Sequence, residues 1–168
     1  MKGKNVFFTG PPRCGKTTLI EKVVEHLDKP ATGFFSREIR EKCSRTGFSI
    51  ETLDGKKGVL AHVNIKDRYR VGKYGVNLKD IDLIAVPSMI PKHESVTVVV
   101  DEVGKMECFS ALFRKTLVQI LDSDHVVVGS ISLKGDRFIK TIKSRRDVKI
   151  IYVTHENRNE LAKMSFGQ

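Results

Sequence analysis

Residues 10 to 17 read Gly-Pro-Pro-Arg-Cys-Gly-Lys-Thr and match the pattern G-x-x-x-x-G-K-[ST]. This pattern is typical of a loop whose backbone N–H groups surround the phosphates of a nucleotide. Gly10 and Gly15 permit backbone conformations and close approaches that a Cβ would obstruct. The pattern assigns Lys16 to the β- and γ-phosphates and the hydroxyl of Thr17 to Mg²⁺. The loop therefore predicts a bound nucleoside triphosphate with magnesium.

The surroundings of the loop support this interpretation. The match follows a predicted strand and opens a predicted helix, whose positive N-terminus would face the same phosphates. The alternative is a glycine-rich turn with a surface lysine. Arg13 either adds positive charge beside the phosphates or points to solvent, and Cys14 is expected to fill the loop rather than to act as a nucleophile. We expect the nucleotide to contact Gly10, Pro11, Pro12, Arg13, Cys14, Gly15, Lys16, Thr17 and Thr18.

A second group of candidate residues ends an apolar, β-branched run at 96–100. A strand that closes on an aspartate is the usual partner of a phosphate loop, so Asp101 is predicted to hold Mg²⁺ together with Thr17. Glu102 adds a carboxylate that can orient and deprotonate water, and we predict Glu102 and Lys16 as the catalytic residues. The alternative is an ordinary charged strand end. The neighbours Val100, Val103 and Gly104 are assigned to the nucleotide site with them.

The last predicted strand is followed by Thr154 to Arg158. Ligands of open α/β sheets lie beyond the carboxyl ends of the strands, so Asn157 or Arg158 would contact the nucleobase. The equal alternative is that Thr154 or Asn157 caps a helix and that the arginine lies on the surface. By position near strand ends, Arg137 and Arg145 are candidates for stabilising charge on the γ-phosphate, against the alternative of a solvated basic surface.

The elements that would position these residues alternate between strand and helix. Strands are predicted at 5–9, 32–36, 45–53, 58–63, 96–100, 125–132 and 149–154. Helices are predicted at 16–27, 78–89, 107–121 and 138–143, with a last one from about Asn157. Such alternation indicates an α/β fold with a mainly parallel sheet. The turn at Asp54-Gly55 predicts an antiparallel hairpin at one edge, and 67–77 is expected to be a surface loop.

Composition limits the class of protein. With 168 residues, 40% of them hydrophobic and 30% charged, the chain fits one globular domain, residues 1–168. Its three cysteines are widely separated and indicate reduced thiols rather than a disulfide framework. We find no signal-peptide pattern, and the longest apolar run is about five residues, against the ~20 that a membrane span needs. We expect a soluble, cytoplasmic protein with no membrane partner.

The formal net charge of +10 raises the possibility of nucleic-acid binding. However, lysines and arginines are spread along the chain, aromatic residues make up 7%, and Trp is absent. No signature of a nucleic-acid module is present, so nucleic acid is an unlikely main ligand. The five histidines show no ligand spacing, and no zinc site is predicted. The sequence identifies no protein partner.

Longer segments resemble one known family. GPPRCGKT and VVVDEVGKMECFS look like the small P-loop nucleoside-triphosphatase family that was first described from thermophiles and includes a cancer-related animal member. Further similar segments, in order along the chain, are GFFSREIR at 33–40, RTGF at 45–48, VGKYGVN at 71–77 and THENR at 154–158. The chain differs from the family pattern at Arg37, at Arg13-Cys14 and at Ser130-Ile131-Ser132.

The resemblance implies a three-layer, Rossmann-like P-loop fold and Mg²⁺-dependent hydrolysis of several nucleoside triphosphates, ATP and GTP among them. Two other functions remain open from the sequence. One is a P-loop kinase that transfers phosphate to a small molecule or a nucleotide, although Glu102 after Asp101 favours the activation of water. The other is a nucleotide-dependent nucleic-acid-binding protein, for which the positive charge is the motive. No base-reading motif such as N-K-x-D is present, so broad base tolerance is expected.

Overall fold

The computed structural model describes residues 3–164, and nine strands within them form one sheet. The strands are β1 Asn5–Thr9, β2 Ala31–Glu41, β3 Ser44–Thr52, β4 Lys57–His62, β5 Arg70–Val71, β6 Tyr74–Val76, β7 Thr97–Val103, β8 Val126–Ile131 and β9 Val148–Tyr152. Their order across the sheet is β5-β6-β4-β3-β2-β7-β8-β1-β9.

The helices are shorter than most of the predicted ranges. They are α1 Lys16–Glu25, α2 Leu78–Asp80, α3 Val86–Ser88, α4 Ala111–Asp122, α5 Arg137–Lys143 and α6 Arg158–Leu161. A π-helical turn, Ile81–Ala85, joins α2 to α3, and a 3₁₀ turn, Glu107–Phe109, precedes α4. No helix within residues 3–164 is both long and apolar enough to cross a membrane.

The sheet has a parallel and an antiparallel half. Strands β2, β7, β8, β1 and β9 pair in parallel, which confirms the predicted α/β fold, and β7 lies between two parallel neighbours as its apolar run predicted. The predicted hairpin is confirmed as β3 and β4, but it is only part of an antiparallel extension that also contains β5 and β6. The extension continues the sheet beyond β2.

Helices cover both faces of the sheet because successive strand residues point to opposite sides. In β1, Val6 and Phe8 pack in one cluster with Leu19 and Ile20 of α1. Phe7, between them, packs in the other cluster. That second cluster receives buried side chains from the segment Ile81–Ala85 and from α3, α4 and α5. The result is a three-layer structure with the sheet in the middle.

Two predicted segments were wrong in detail. The surface loop expected at 67–77 contains β5 and β6, and the ring of Tyr74 is buried against Phe48 at 5.3 Å between centroids. Two- and three-residue strands separated by glycine are too short to show a period of two. The helix expected at 107–121 is interrupted at Ser110, where the backbone is extended. The hydroxyl of Ser110 caps α4 by accepting a hydrogen bond from the N–H of Phe113 at 2.9 Å.

Candidate functional site

The phosphate loop lies between the end of β1 and the start of α1, as the sequence predicts. Gly10 approaches the backbone of the segment after β9 so closely that a Cβ would stand 2.5 Å from the carbonyl oxygen of Val153. Buried Leu19, Ile20 and Val23 fix α1 on the sheet, so its N-terminus points at the loop. The first turn of α1 carries no acidic residue. An anion is therefore favoured at this position.

Lys16 extends back over the loop that precedes it. Its Nζ donates to the carbonyl oxygens of Gly10 and Pro11, each at 3.1 Å. Cys14 is buried beneath the loop, with its Sγ 3.9 Å from the same Nζ. The ammonium group is thus centred on the loop, where it can pair with phosphate oxygens.

The carboxyl end of β7 carries two acidic residues at an irregularity of the sheet. Val100 pairs with Gly129 and Val103 with Ile131, so the two residues between them on β7 face a single residue of β8. Such a bulge changes the direction in which consecutive side chains point. Asp101 and Glu102 both line the same cleft as Lys16.

Asp101 is almost fully buried between α1 and β8. Its Oδ2 accepts the hydroxyl of Thr17 at 2.6 Å, and its Oδ1 accepts the hydroxyl of Ser130. Burial raises the pKa of Asp101, while these two hydrogen bonds and the charge of Lys16 oppose the rise. A carboxylate next to a hydroxyl supplies the hard oxygen ligands that Mg²⁺ takes beside substrate phosphates, so the donor set fits this ion.

Glu102 lies in the cleft beside Asp101. Its Oε1 accepts the hydroxyl of Ser132 at 3.3 Å. Burial, and then the charge of Asp101, raise the pKa of Glu102, whereas Lys16 lowers it. A carboxylate with a raised pKa is a stronger base in its ionised form, as general-base chemistry requires.

Sequence reasoning missed a third acidic residue, Glu107, which is only 3% exposed and lines the same cleft. Burial and the charge of Glu102 raise the pKa of Glu107 well above the usual range. The available signal was an acidic residue between Met106 and Cys108, in a segment that is otherwise apolar.

The cleft has a volume of about 1000 Å³ and reaches from the phosphate loop to the antiparallel extension. Within residues 3–164, the arginines that line it are Arg13, Arg37, Arg40, Arg45 and Arg158. The sequence indicates Arg13 and Arg158 as site residues but not the three on β2 and β3. All three of those on β2 and β3 are paired with glutamates: Arg37 with Glu51 at 2.7 Å, and Arg40 and Arg45 with Glu38 at 2.8 and 2.9 Å.

The two arginines that were proposed to stabilise charge on the γ-phosphate, from their position near strand ends, do not line the cleft. Arg145 pairs with Asp122 at 2.7 Å and with Asp147 at 2.9 Å. Arg137 begins α5 on the surface and does not line the cleft. The prediction failed because a position near a strand end does not say on which side of the sheet the following turn places a side chain.

The two candidates for base contact, both in the segment after β9, have side chains in different positions. Asn157 uses its side chain in the turn: Oδ1 accepts the N–H of Thr154 at 2.8 Å and Nδ2 donates to the carbonyl of Tyr152 at 2.9 Å. Arg158 instead extends over Gly15 and lines the cleft. It also lines a side pocket of about 130 Å³, which we call the Arg158 pocket, formed with Gly15, Thr18, Leu19, Lys22 and Asn159.

The remaining predicted residues occupy three kinds of position. Val100 and Val103 have fully buried side chains in the core, so only their backbone atoms are available to a ligand. Pro11, Pro12 and Thr18 lie exposed on the phosphate loop and the start of α1. Gly104 lies buried between Glu102 and Glu107.

Known proteins are similar to this chain both in sequence and in fold. A family model described as NTPase matches residues 5–164. The nucleoside-triphosphatase THEP1 of Thermotoga sp. (strain RQ2) is 45% identical, over 93% of this chain and 90% of its own length. The cancer-related nucleoside-triphosphatase homolog of Mus musculus is 40% identical, over 94% and 92%.

A solved structure agrees with the architecture described above. The crystal structure of THEP1 from Aquifex aeolicus superposes with a TM-score of 0.86 at 35% identity and covers 95% of each chain. The sequence match and the structural match both extend over nearly the whole chain. This chain therefore belongs to the NTPase family, the nucleoside-triphosphatases of the THEP1 and cancer-related type.

Proposed function

We propose that this chain hydrolyses nucleoside triphosphates, ATP and GTP among them, to the diphosphate and phosphate with Mg²⁺ as cofactor. Nucleoside-triphosphatase activity is the activity of its family. The observation that carries the proposed mechanism is the position of Glu102. This carboxylate shares a cleft with the phosphate-loop lysine, Lys16, and with the Thr17–Asp101 pair.

Substrate binding in this proposal depends mainly on the phosphates. The loop 10–18 would surround the β- and γ-phosphates with backbone N–H groups, and Lys16 would exchange its carbonyl partners for phosphate oxygens. Thr17 and Asp101 would hold Mg²⁺, which supplies positive charge to the β- and γ-oxygens when bound. The hydrogen bond from Ser130 keeps the Asp101 carboxylate directed toward Thr17.

The chemical step assigns one role to each side chain. Glu102 takes a proton from a water molecule, whose oxygen forms a bond to the γ-phosphorus. The bond from the γ-phosphorus to the bridging oxygen breaks, and the diphosphate leaves with that bond's electron pair. Lys16 stabilises the negative charge on the γ-phosphate oxygens and the bridging oxygen during this transfer. Glu102 is half-buried in the cleft, so only part of its carboxylate is open to competing water molecules.

The base would lie on the side of Arg158. A guanidinium plane can stack on any base, and the Arg158 pocket is continuous with the phosphate loop through Gly15 and Thr18. Asn157 would support this contact indirectly by closing the turn. Stacking does not distinguish bases by their hydrogen-bonding groups, so this arrangement supports broad base tolerance.

We further propose that residues 1–168 act as one cytoplasmic domain.

Nucleic acid is not part of the proposal despite the net charge of +10. The three arginines of β2 and β3 that line the cleft are all paired with glutamates, which leaves less free positive charge there than the composition suggests. We expect any binding to duplex DNA to be independent of sequence and to collapse between about 50 and 200 mM salt. Gel shifts with and without nucleotide test this, and DNA-stimulated hydrolysis would support nucleic acid as a partner.

The decisive test is the substitution Glu102→Gln. It keeps shape and hydrogen bonding but removes the basic group, so kcat should fall by roughly 10² to 10⁴. Affinity for Mg-ATP should stay nearly unchanged because the target of Glu102 is the water. Calorimetric titration beside a phosphate-release assay measures both quantities, and Glu94→Gln, an exposed glutamate, is the control. Hydrolysis by Glu102→Gln at the parent rate would refute this mechanism. Added acceptors that suppress phosphate release would indicate a kinase.

A further inference from the structure

The end of the cleft farthest from the phosphate loop is formed by a hairpin that projects beyond the parallel strands. β2 pairs with β7 from Ala31 to Phe35, whose partner is Asp101. Beyond that point residues 36–41 of β2 pair with β3, so the β2–β3 hairpin stands past Asp101 as a wall of the cleft. Charged and apolar side chains line this end, which we call the hairpin subsite: Glu38, Arg40, Arg45, Phe48, Val71 and Met106.

The order of the strands separates the hairpin subsite from the proposed position of the nucleotide. Across the sheet, β3 is followed by β2, β7, β8, β1 and β9. The phosphate loop follows β1, and the Arg158 pocket lies after β9, on the side of β1 that is remote from β2. Because neighbouring strands lie about 4.8 Å apart, β3 runs about 19 Å from β1. A nucleotide with its base at Arg158 would direct its γ-phosphate toward β7 and leave the hairpin subsite unfilled.

Two rings and a carboxylate hold Arg45 in place. Its Nε donates to the hydroxyl of Tyr74 at 3.0 Å, and its Nη1 donates to Oε1 of Glu38 at 2.9 Å. The guanidinium carbon lies 5.1 Å from the ring centroid of Phe48 and 5.7 Å from that of Tyr74. Within residues 3–164, no acceptor contacts Nη2. The guanidinium group is therefore oriented before any ligand arrives, with N–H groups left for an anion.

The subsite keeps a positive charge because two arginines share one glutamate. Arg40 donates from Nη1 to Oε2 of Glu38 at 2.8 Å, while Arg45 occupies the other oxygen. Two guanidinium groups on one carboxylate leave one positive charge. Arg37, the other arginine of the hairpin, is held between Glu21 and Glu51 and adds no free charge. The phosphate group of a ligand suits the free N–H groups of such a pair.

Apolar side chains border the same positive charge. Phe48, Val71 and Met106 are half-buried, packed against the core and open to the cleft. A few oriented polar groups beside an apolar wall are typical of sites for small organic molecules. A bare inorganic anion would leave the apolar wall in contact with water. An anion that carries a flat ring would use both parts of the subsite.

We propose that the hairpin subsite binds a second small molecule, a phosphate ester of a flat ring compound, together with the nucleoside triphosphate. Its phosphate group pairs with Arg45 and Arg40, and its ring lies against Phe48 and Met106. The inference goes beyond the proposed hydrolysis, because this ligand is neither the substrate nor the product. It takes from that proposal only the position of the nucleotide.

The test uses AMP, which joins a phosphate group to a flat ring, as the probe. AMP is titrated by calorimetry into protein saturated with Mg²⁺ and the nonhydrolysable β,γ-imido analogue of ATP. We expect AMP to bind to the saturated protein, and adenosine and inorganic phosphate to bind at least about tenfold more weakly, because each lacks part of the contacts. Arg45→Gln should weaken AMP binding at least about tenfold through lost charged hydrogen bonds. Met106→Ala should weaken it about 3- to 10-fold through lost apolar contact.

Arg68→Gln is the matched control. Arg68 also lies over a tyrosine ring, 4.8 Å from the centroid of Tyr69, and donates to its hydroxyl at 2.9 Å, but it does not line the cleft. This variant should bind AMP like the parent. Affinity for the ATP analogue should stay within about twofold of the parent in Arg45→Gln and Met106→Ala, because neither side chain would contact the triphosphate.

Each other outcome counts against a definite statement. The proposal is overturned if AMP does not bind to the saturated parent, or if Arg68→Gln loses as much AMP affinity as Arg45→Gln. An equal loss for AMP and the ATP analogue in Arg45→Gln would also overturn it, because the triphosphate itself would then occupy the subsite. Thermal unfolding shows whether each variant folds.

If Arg45→Gln does not fold, Arg40→Gln and Met106→Ala decide. The Arg40 side chain is 48% exposed, and its loss should weaken AMP binding about 3- to 10-fold. Parent AMP affinity in both variants would overturn the proposal. Failure of the ATP analogue to bind would instead count against the proposed hydrolysis. AMP binding that depends on Arg45 and not on Lys16 would still support the subsite, so the two failures are distinguishable.

Discussion

The hydroxyl of Thr17 donates a hydrogen bond to the carboxylate of Asp101 across 2.6 Å. This contact joins the first turn of α1 to the end of β7, through two residues that are 84 positions apart in the chain. The hydrogen bond from Ser130 holds the other oxygen of Asp101. The proposed ligands of Mg²⁺ are therefore already adjacent in the protein alone, and the metal need not assemble them.

Asp101→Asn should weaken the use of Mg²⁺. The amide keeps one acceptor oxygen but has no charge, so we expect the Mg²⁺ concentration for half-maximal hydrolysis to rise by at least about tenfold, a loss typical of weakened metal sites. A magnesium titration of phosphate release measures this shift. Binding of ATP in EDTA should be unchanged, which separates loss of metal from loss of the fold.

Asp122→Asn is the matched control for that experiment because Asp122 is an exposed aspartate on α4 that pairs with Arg145. It should give the parent magnesium curve. An Asp101→Asn enzyme with the parent magnesium requirement would mean that the ion is held without this carboxylate.

Lys16→Ala should abolish binding and turnover together. Lys16 would contact the phosphates both in the ground state and during transfer, so its removal affects both quantities, unlike Glu102→Gln. We expect Mg-ATP affinity to fall at least tenfold and phosphate release to become undetectable. Calorimetry and phosphate release test this, with the exposed Lys115→Ala on α4 as control. Unchanged affinity in Lys16→Ala would place the phosphates elsewhere.

The phosphate loop and the β7 end could be predicted because their chemistry is local. The order of glycines, lysine and threonine at 10–17 specifies its own backbone conformation, and an apolar run that ends on Asp101 needs little tertiary information. The pairing of Thr17 with Asp101 follows, because β1 and β7 are parallel strands of one sheet whose carboxyl ends share an edge. Their roles in catalysis remain predictions.

The rest of the cleft depends on contacts that no local pattern records. Arg37 and Arg45 reach it only because β2 and β3 extend the sheet past β7, and the predicted hairpin at one edge of the sheet did not show that this edge borders the cleft. Glu107 resembled the first residue of a helix until the cap at Ser110 separated it from α4. The sequence could name Arg158 and Asn157 as candidates for base contact but could not choose between them. The choice depends on the turn, in which the Asn157 side chain forms hydrogen bonds while that of Arg158 extends over Gly15.

Glu107→Gln should stabilise the protein progressively as the pH rises. The pKa of Glu107 is raised in the folded state, so above its ordinary pKa of about 4.5 the unfolded chain releases a proton that the folded chain keeps. The free energy of unfolding of the parent therefore loses about 1.4 kcal/mol for each pH unit in which the folded group stays protonated. The variant has no such loss. Urea denaturation of both proteins at pH 5 and pH 8 should show a difference that grows with pH, and a constant difference would contradict the raised pKa.

Arg158→Ala should weaken the binding of all nucleoside triphosphates by a similar factor. The Arg158 side chain lies over Gly15 and lines the Arg158 pocket, and among residues 3–164 it forms no ion pair that would hold it elsewhere. A stacked guanidinium contributes about 1 to 2 kcal/mol, or roughly 5- to 30-fold in affinity, and does so for any base.

In the parent, initial rates for ATP, GTP, CTP and UTP should lie within about tenfold, equivalent to ~1.4 kcal/mol in transition-state terms. In Arg158→Ala the KM should rise for all four substrates while kcat changes little, because Arg158 would contact the base rather than the γ-phosphate or the attacking water. Arg146→Ala, an exposed arginine that precedes β9, is the control. Phosphate release over a range of each nucleotide gives both constants. A loss confined to one base would show that Arg158 reads the base by hydrogen bonds, and an unchanged KM for all four would place the nucleoside outside the Arg158 pocket.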